Sequence, residues 1–226
     1  MIRALAMKEW RETWAFGALA LGVYLIYLGN LTGLGEPVLR SVSWLIRGAD
    51  GKPTELPFIQ DNFASTVGFV GCLLAIALGF RQSAWEPHQG TSLYLLHLPL
   101  PRRTILATKV LTGIALLLAC SLAPILLYGT WAAWPRTHPG PFEWSMTDAA
   151  FRAWAMTPLV YLGAFASGIR PARWFGSRLL PLAAAFLPAV LTLALPSWWL
   201  MGLPIAALTA ALLWATIVQE AEARDY

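Results

Sequence analysis

The sequence predicts an all-α polytopic membrane protein, a single transmembrane domain over residues 1–226. Three observations carry that expectation. Hydrophobic residues make up 58% of the chain and charged residues 12%, against about 25% charged in an ordinary soluble domain. So little polar surface suits a bilayer and not water. Apolar runs recur six times, each near the roughly 20 helical residues that cross a hydrocarbon core of about 30 Å. The runs are continuous and do not alternate, which excludes a closed barrel.

The first predicted span is Trp14–Leu28. Its lead, "MIRALAMKEWRET" (residues 1–13), mixes acids with bases, and no small-residue cleavage pattern follows, so the span reads as uncleaved. Ile2, Leu5, Ala6 and Glu9 share one face of this amphipathic lead. It either lies flat on the inner surface as an N-terminal interfacial helix or simply extends the span. An outer loop (29–61) follows. Within it "EPVLRSVSWLIRG" carries Val38, Val42, Leu45 and Ile46 at helical spacing, opened by Pro37 and closed by Gly48. That piece is expected on the outer surface or capping the spans.

The remaining spans are predicted at Asn62–Phe80, Lys109–Trp131, Ala149–Gly168, Leu179–Leu195 and Leu200–Val218. "PSWW" joins the last two as a tight hairpin. Pro124, Pro158, Pro188 and Pro204 fall inside spans, where each removes a backbone bond and can kink its helix. Small residues recur at four-residue spacing: Gly71, Ala75 and Gly79; Gly163 and Ser167; Ala164 and Gly168; Ala206 and Ala210. Such rows let helix backbones approach closely, within one subunit or across a homodimer. Cys72 and Cys120 lie in apolar runs and read as small packing residues.

With the N-terminus inside, eleven of the sixteen bases fall on cytoplasmic segments and five on outer ones. That bias places both termini in the cytoplasm of a multi-pass protein of the cell (inner) membrane. Trp10, Trp14, Trp85, Trp131, Trp134, Trp174, Trp198 and Trp199 sit near span ends, as an interfacial belt requires. A net charge of +4, dispersed along the chain, gives no footprint for nucleic acid.

The predicted hydrocarbon cores hold almost no ionisable side chains. Asp148 and Arg152, four residues apart at the outer end of the fourth span, should pair. Lys109, at the inner end of the third, should snorkel toward the headgroups. Ion-coupled transporters keep carboxylates, His or Lys near the midplane, so an ion-driven mechanism is disfavoured.

Between the second and third spans lies a cytoplasmic loop, residues 81–108, containing "WEPHQGTSLYLLHLPLPRRTILATK" (85–109). Gly90 permits a turn, and Thr91 or Ser92 can cap a helix. "LYLLHL" supplies about two turns, and Pro99 and Pro101 stop it; Pro101 can also open the third span. A solvated loop has no use for Leu93, Leu95, Leu96, Leu98 and Leu100. The membrane surface or a cytoplasmic partner must cover them.

Here the residues resemble those of ABC-2 type transporter permeases. In that family a cytoplasmic loop between the second and third of six spans reads Glu, a short gap, Gly-Thr, a Leu-rich stretch, Leu-Pro, Arg, and then Lys in the next span. Glu86, Gly90, Thr91, Leu95, Leu96, Leu98, Pro99, Arg102, Arg103 and Lys109 match that order. Gln89 departs from it, standing where some members place an acid, and the long first outer loop is uncommon for so short a member.

The resemblance implies the membrane subunit of an ATP-driven exporter. The loop would be a short coupling helix docked on a separate ATP-binding cassette ATPase through Glu86, Gly90, Thr91, Leu93, Leu96, His97 and Pro99. Arg102, Arg103 and Lys109 would anchor to membrane lipids, and a second permease subunit, identical or not, would complete the path. The chain has no G-x-x-x-x-G-K-[ST] phosphate loop, so ATPase activity is expected only in a partner chain. No cofactor is expected.

Two other readings compete. Glu86, His88 and His97 could serve an intramembrane metal-dependent hydrolase, but their spacing is not H-E-x-x-H, and His138 is predicted on the opposite side. A membrane scaffold or assembly protein docking a cytoplasmic partner would use the same loop. Haem-exporter membrane subunits are similar in size and loop, yet no haem-ligand pattern is present.

Overall fold

A computed structural model describes residues 1–33, 56–59, 61–89, 101–172, 177–195 and 197–223. Among these residues the chain is helical, with no strand. Six helices follow one another: α1 (Ile2–Leu31), α2 (Phe63–Gln89), α3 (Arg102–Ala133), α4 (Asp148–Ile169), α5 (Leu180–Leu193) and α6 (Leu203–Glu222). Each predicted span falls on one of them. Four stretches are long and apolar enough to cross a membrane: Ile2–Leu31, Phe63–Trp85, Arg102–Ala133 and Trp198–Glu222. The expected helix at 36–48 and the Leu-rich helix of the 81–108 loop lie outside the described residues.

α4 is the hub. It packs most extensively on α2 and also contacts α5, α6 and α3. From Leu159 to Ile169 every residue is buried. A helix apolar on all sides belongs in a core, and this half of α4 is covered on all sides. On the other flank, α1 packs on α3 and α2.

The small-residue rows explain the α2–α4 seam. A Cβ at Gly71 would lie 2.8 Å from Thr157 Cγ2, and one at Gly79 would lie 2.7 Å from Ala164 Cβ and 2.9 Å from the Phe165 nitrogen. Gly168 faces Ser83 with no room for a side chain, and Gly163 faces Ala185 and the Pro181 carbonyl. These rows serve packing within the subunit. Cys120, buried, packs on Gly17, and neither it nor Cys72 is in a disulfide.

Several local expectations change. Of the two readings of the N-terminal lead, the structure has the extension of the span: Ile2–Leu31 is one continuous helix of 30 residues. Leu5 and Glu9 of its apolar face are buried while Ile2 is exposed, so this face packs against protein. Pro124, Pro158 and Pro188 are inside helices, but Pro204 occupies the first turn of α6. A π-helical turn, Trp198–Gly202, runs directly into this turn, so Pro204 lies within the longer helical stretch Trp198–Glu222. Pro101 is the N-cap of α3 and not its first helical residue, and its carbonyl accepts from the Thr104 and Ile105 N–H groups at 2.9 and 3.2 Å. Trp198 is fully buried against Gly202 and so leaves the predicted belt, whereas Trp10, Trp14, Trp85, Trp134 and Trp199 are exposed.

The predicted outer end is closed by aromatic rings. Phe58 meets Phe63 edge-on at 5.1 Å, and Tyr128 lies 4.6 and 4.9 Å from the two rings. Asp61 organises them. Its carboxylate accepts from the Phe63 N–H at the start of α2 and from the Phe58 N–H, both at 3.1 Å, and from the Tyr128 hydroxyl. Asp148 and Arg152 form the expected ion pair, and Asp148 also accepts from Trp199 Nε1 at 3.0 Å.

Candidate functional site

The site lies where the two arms of the 90–100 connection leave the bundle. One arm is the end of α2, which continues well past the predicted limit of Phe80 to Gln89. Residues 81–89 are therefore helix and not loop. The other arm is the start of α3 at Arg102, ahead of the predicted span limit at Lys109. Between the arms, side chains from α1, α2, α3 and α4 meet in a buried polar cluster.

Four residues form it. Glu9 is 1% exposed, Gln82 3%, Lys109 4% and Tyr161 0%. The Lys109 ammonium lies 3.7 Å from the Glu9 carboxylate and donates to the Gln82 carbonyl at 3.3 Å. Gln82 Nε2 donates to Glu9 Oε2 at 3.1 Å and to the Lys109 carbonyl at 3.3 Å. The Tyr161 hydroxyl donates to Gln82 Oε1. Gln82 is the hinge of the set because a primary amide both donates and accepts, so it can satisfy a carboxylate and a phenol at once. Gly113 of α3 makes room: any Cβ there would run into Gln82 Oε1 and the Tyr161 hydroxyl.

Charges of alternating sign lead outward from the cluster. Lys8 lies 3.8 Å from Glu9 and 3.5 Å from Glu12, and Arg81 of α2 lies 3.5 Å from Glu12. Arg81 also stacks over the Trp85 ring at 4.9 Å. The first turns of α1 thus hold both arms, α2 through Gln82 and Arg81, and α3 through Lys109. Buried charges survive only when paired and hydrogen-bonded, and that condition fixes the relative positions of the three helices.

This placement corrects two expectations. Lys109 does not snorkel to lipid headgroups. It turns into the bundle, because Glu9 and Gln82 offer it a carboxylate and a carbonyl there. The bundle interior also holds an ionisable pair that no single apolar run revealed. The pair sits toward one end: Glu9 adjoins exposed Trp10, and Gln82 precedes exposed Trp85 by about one turn. Of the other expected site residues, Glu86 lies in the last turn of α2, and Gly90, Thr91, Leu93, Leu96, His97 and Pro99 fall outside the described residues. Arg102 and Arg103 are exposed, and Arg103 makes two hydrogen bonds to Glu222 at 2.6 and 3.2 Å.

Glu9, Gln82 and Tyr161 escaped the sequence reading. The available signal was a carboxylate on an otherwise apolar face, with Ile2, Leu5 and Ala6. Such a face must either expose its charge or bury it beside a base.

A family model described as ABC-2 family transporter protein matches residues 11–218. The chain belongs to the ABC-2 transporter family. The matched stretch takes in all of α2 to α5 and most of α1 and α6. No curated protein and no solved structure matches the chain. As an ABC-2 family protein it is a membrane component of a transporter, with several apolar helices suited to a multi-pass arrangement.

Proposed function

We propose that this chain is the permease subunit of an ATP-driven exporter, with six spans and both termini in the cytoplasm of the cell membrane. The family match over residues 11–218 carries the reading. A separate ATP-binding cassette ATPase binds the 86–100 segment through Glu86, Gly90, Thr91, Leu93, Leu96, His97 and Pro99. A second permease subunit, identical or related, completes the translocation path.

The buried cluster supplies a physical route for the coupling. A load applied to the 90–100 connection reaches α2 and α3 together. Because Gln82 and Lys109 tie those arms to Glu9 and Tyr161, the load passes on to α1 and α4. Since α4 is the hub, a shift there reaches α5 and α6. A packed, hydrogen-bonded set transmits displacement as a rigid body and does not absorb it.

The test is affinity purification in mild detergent with identification of the proteins retained. An ATPase carrying a phosphate loop should co-purify, and Leu96→Asp should abolish it while the chain still inserts. Undiminished co-purification of that variant would remove the docking claim. A retained partner without a phosphate loop would favour the scaffold role instead.

A further inference from the structure

We propose that a recess between α1, α2 and the short turn Ser177–Leu179 ahead of α5 is a binding site for the headgroup of one anionic phospholipid. The proposal rests on the reading that this end of the bundle lies at the cytoplasmic membrane surface.

The recess has a volume of about 490 Å³ and is lined by Phe16, Ala77, Phe80, Arg81, Ala84, Trp85 and Arg178. Its chemistry divides into two parts. Phe16, Ala77, Phe80 and Ala84 form an apolar floor. Arg81, Arg178 and Trp85 form a rim of two guanidinium groups and an indole, and no carboxylate lines the recess among the described residues. From Ala77 to Trp85 is eight residues of α2, about 12 Å along the helix. That depth accepts a headgroup at the rim and the first part of an acyl chain on the floor.

Both guanidinium groups are held in place before any ligand arrives. Arg81 is pinned by Glu12 at 3.5 Å and by the Trp85 face at 4.9 Å. Arg178 donates from Nε to the Ser167 carbonyl at 3.3 Å and from Nη2 to the Gly168 carbonyl at 3.1 Å. It thereby closes the end of α4, where the helix dipole favours a cation. Positioned guanidinium pairs suit phosphate oxygens, which they can grip in a fork. Trp85, 45% exposed, has the apolar body and polar tip that settle at the headgroup level. A basic pocket between helices on the cytoplasmic side, floored by apolar surface, is matched by an anionic lipid. A phosphate without a tail would leave that floor wet.

The experiment is native mass spectrometry of the purified protein in detergent, titrated with dioleoyl phosphatidylglycerol or dioleoyl phosphatidylcholine. One phosphatidylglycerol should be retained in preference to phosphatidylcholine. The double variant Arg81→Gln/Arg178→Gln should lower that retention by about fivefold for each guanidinium removed. Arg3→Gln/Arg11→Gln, two exposed bases of α1 outside the recess, should leave it unchanged. If the first pair does not fold, Ala84→Trp fills the recess without removing either guanidinium and should also lower retention.

Equal retention of the two lipids overturns the proposal. So does unchanged retention in the recess variants, an equal loss in the Arg3/Arg11 control, or full competition by inorganic phosphate alone. The ATPase co-purification assay reads the transport role separately. Failure of the unaltered chain to retain any ATPase, with phosphatidylglycerol retention intact, rejects the exporter reading and leaves this site standing.

Discussion

The Lys109 ammonium faces the Glu9 carboxylate at 3.7 Å inside the helix bundle, with both side chains shielded from solvent. These residues are 100 positions apart in the chain, and Gln82 bridges them. Removing one partner weakens the compensation of the other, buried charge, and because Glu9 keeps Lys8 at 3.8 Å the cost stays within the about 3–5 kcal/mol of a fully broken buried pair. Lys109→Met and Glu9→Gln should therefore each destabilise the protein, Lys109→Met the more because it also removes the donor to the Gln82 carbonyl. The double variant should recover most of the loss. Thermal unfolding in detergent across this double-mutant cycle checks it, and additive losses would show that the pair is not coupled.

A methyl group at Gly113 should disturb the same cluster from the side. Gly113→Ala places carbon against Gln82 Oε1 and the Tyr161 hydroxyl, and overpacking of this kind costs about 1–3 kcal/mol. Adding Tyr161→Phe removes one of the three obstructing atoms, leaving Gln82 Oε1 and the ring Cζ, and should return part of the stability. A Gly113→Ala protein that melts with the parent would mean that the helices separate there at little cost.

The α2–α4 seam makes a second packing prediction. Gly79→Ala pushes a Cβ to 2.7 Å from Ala164 Cβ and to 2.9 Å from backbone atoms of Phe165 and Tyr161. Backbone cannot swing aside as a side chain can, so the helices must part. Gly22→Ala, where a Cβ meets nothing within 4 Å, serves as the control. Gly79→Ala should lower the melting temperature and Gly22→Ala should not.

At the opposite end, Asp61→Ala removes the acceptor for the Phe63 and Phe58 N–H groups and for the Tyr128 hydroxyl. Loss of a helix-start acceptor costs about 0.5–2 kcal/mol. Tyr128→Phe removes one of the three bonds and should cost less. Unfolding measurements that rank Tyr128→Phe as the worse variant would contradict Asp61 as the organiser of this end.

Exposed and buried ion pairs should separate clearly. Arg103 and Glu222 meet at 2.6 Å, closer than Lys109 and Glu9, yet their side chains are 70% and 46% exposed. Water screens such a pair, and two long side chains lose freedom in forming it. Arg103→Gln should leave the unfolding midpoint essentially unchanged. A fall as large as that of Lys109→Met would overturn the distinction.

The helical class, the six apolar runs and the Asp148–Arg152 pairing were legible in the order of residues. Each depends on neighbours within a few turns: hydrophobic runs set helices, and four-residue spacing sets a contact on one helix face. The family resemblance was legible for the same reason, since its motif is a contiguous stretch. The small-residue rows were visible too, although which helix each faced was not. Gly79 could have met a second copy until Ala164 was placed against it.

Tertiary structure alone decided the destinations of Lys109, Glu9 and Trp198. A lysine at the entrance to an apolar run can reach outward to headgroups or inward to a carboxylate, and its own segment is the same in both cases. The choice depends on where Glu9 of α1, Gln82 of α2 and Tyr161 of α4 come to rest once the helices pack. Local sequence fixes what a side chain can do, whereas burial and pairing are properties of the neighbours that folding brings to it.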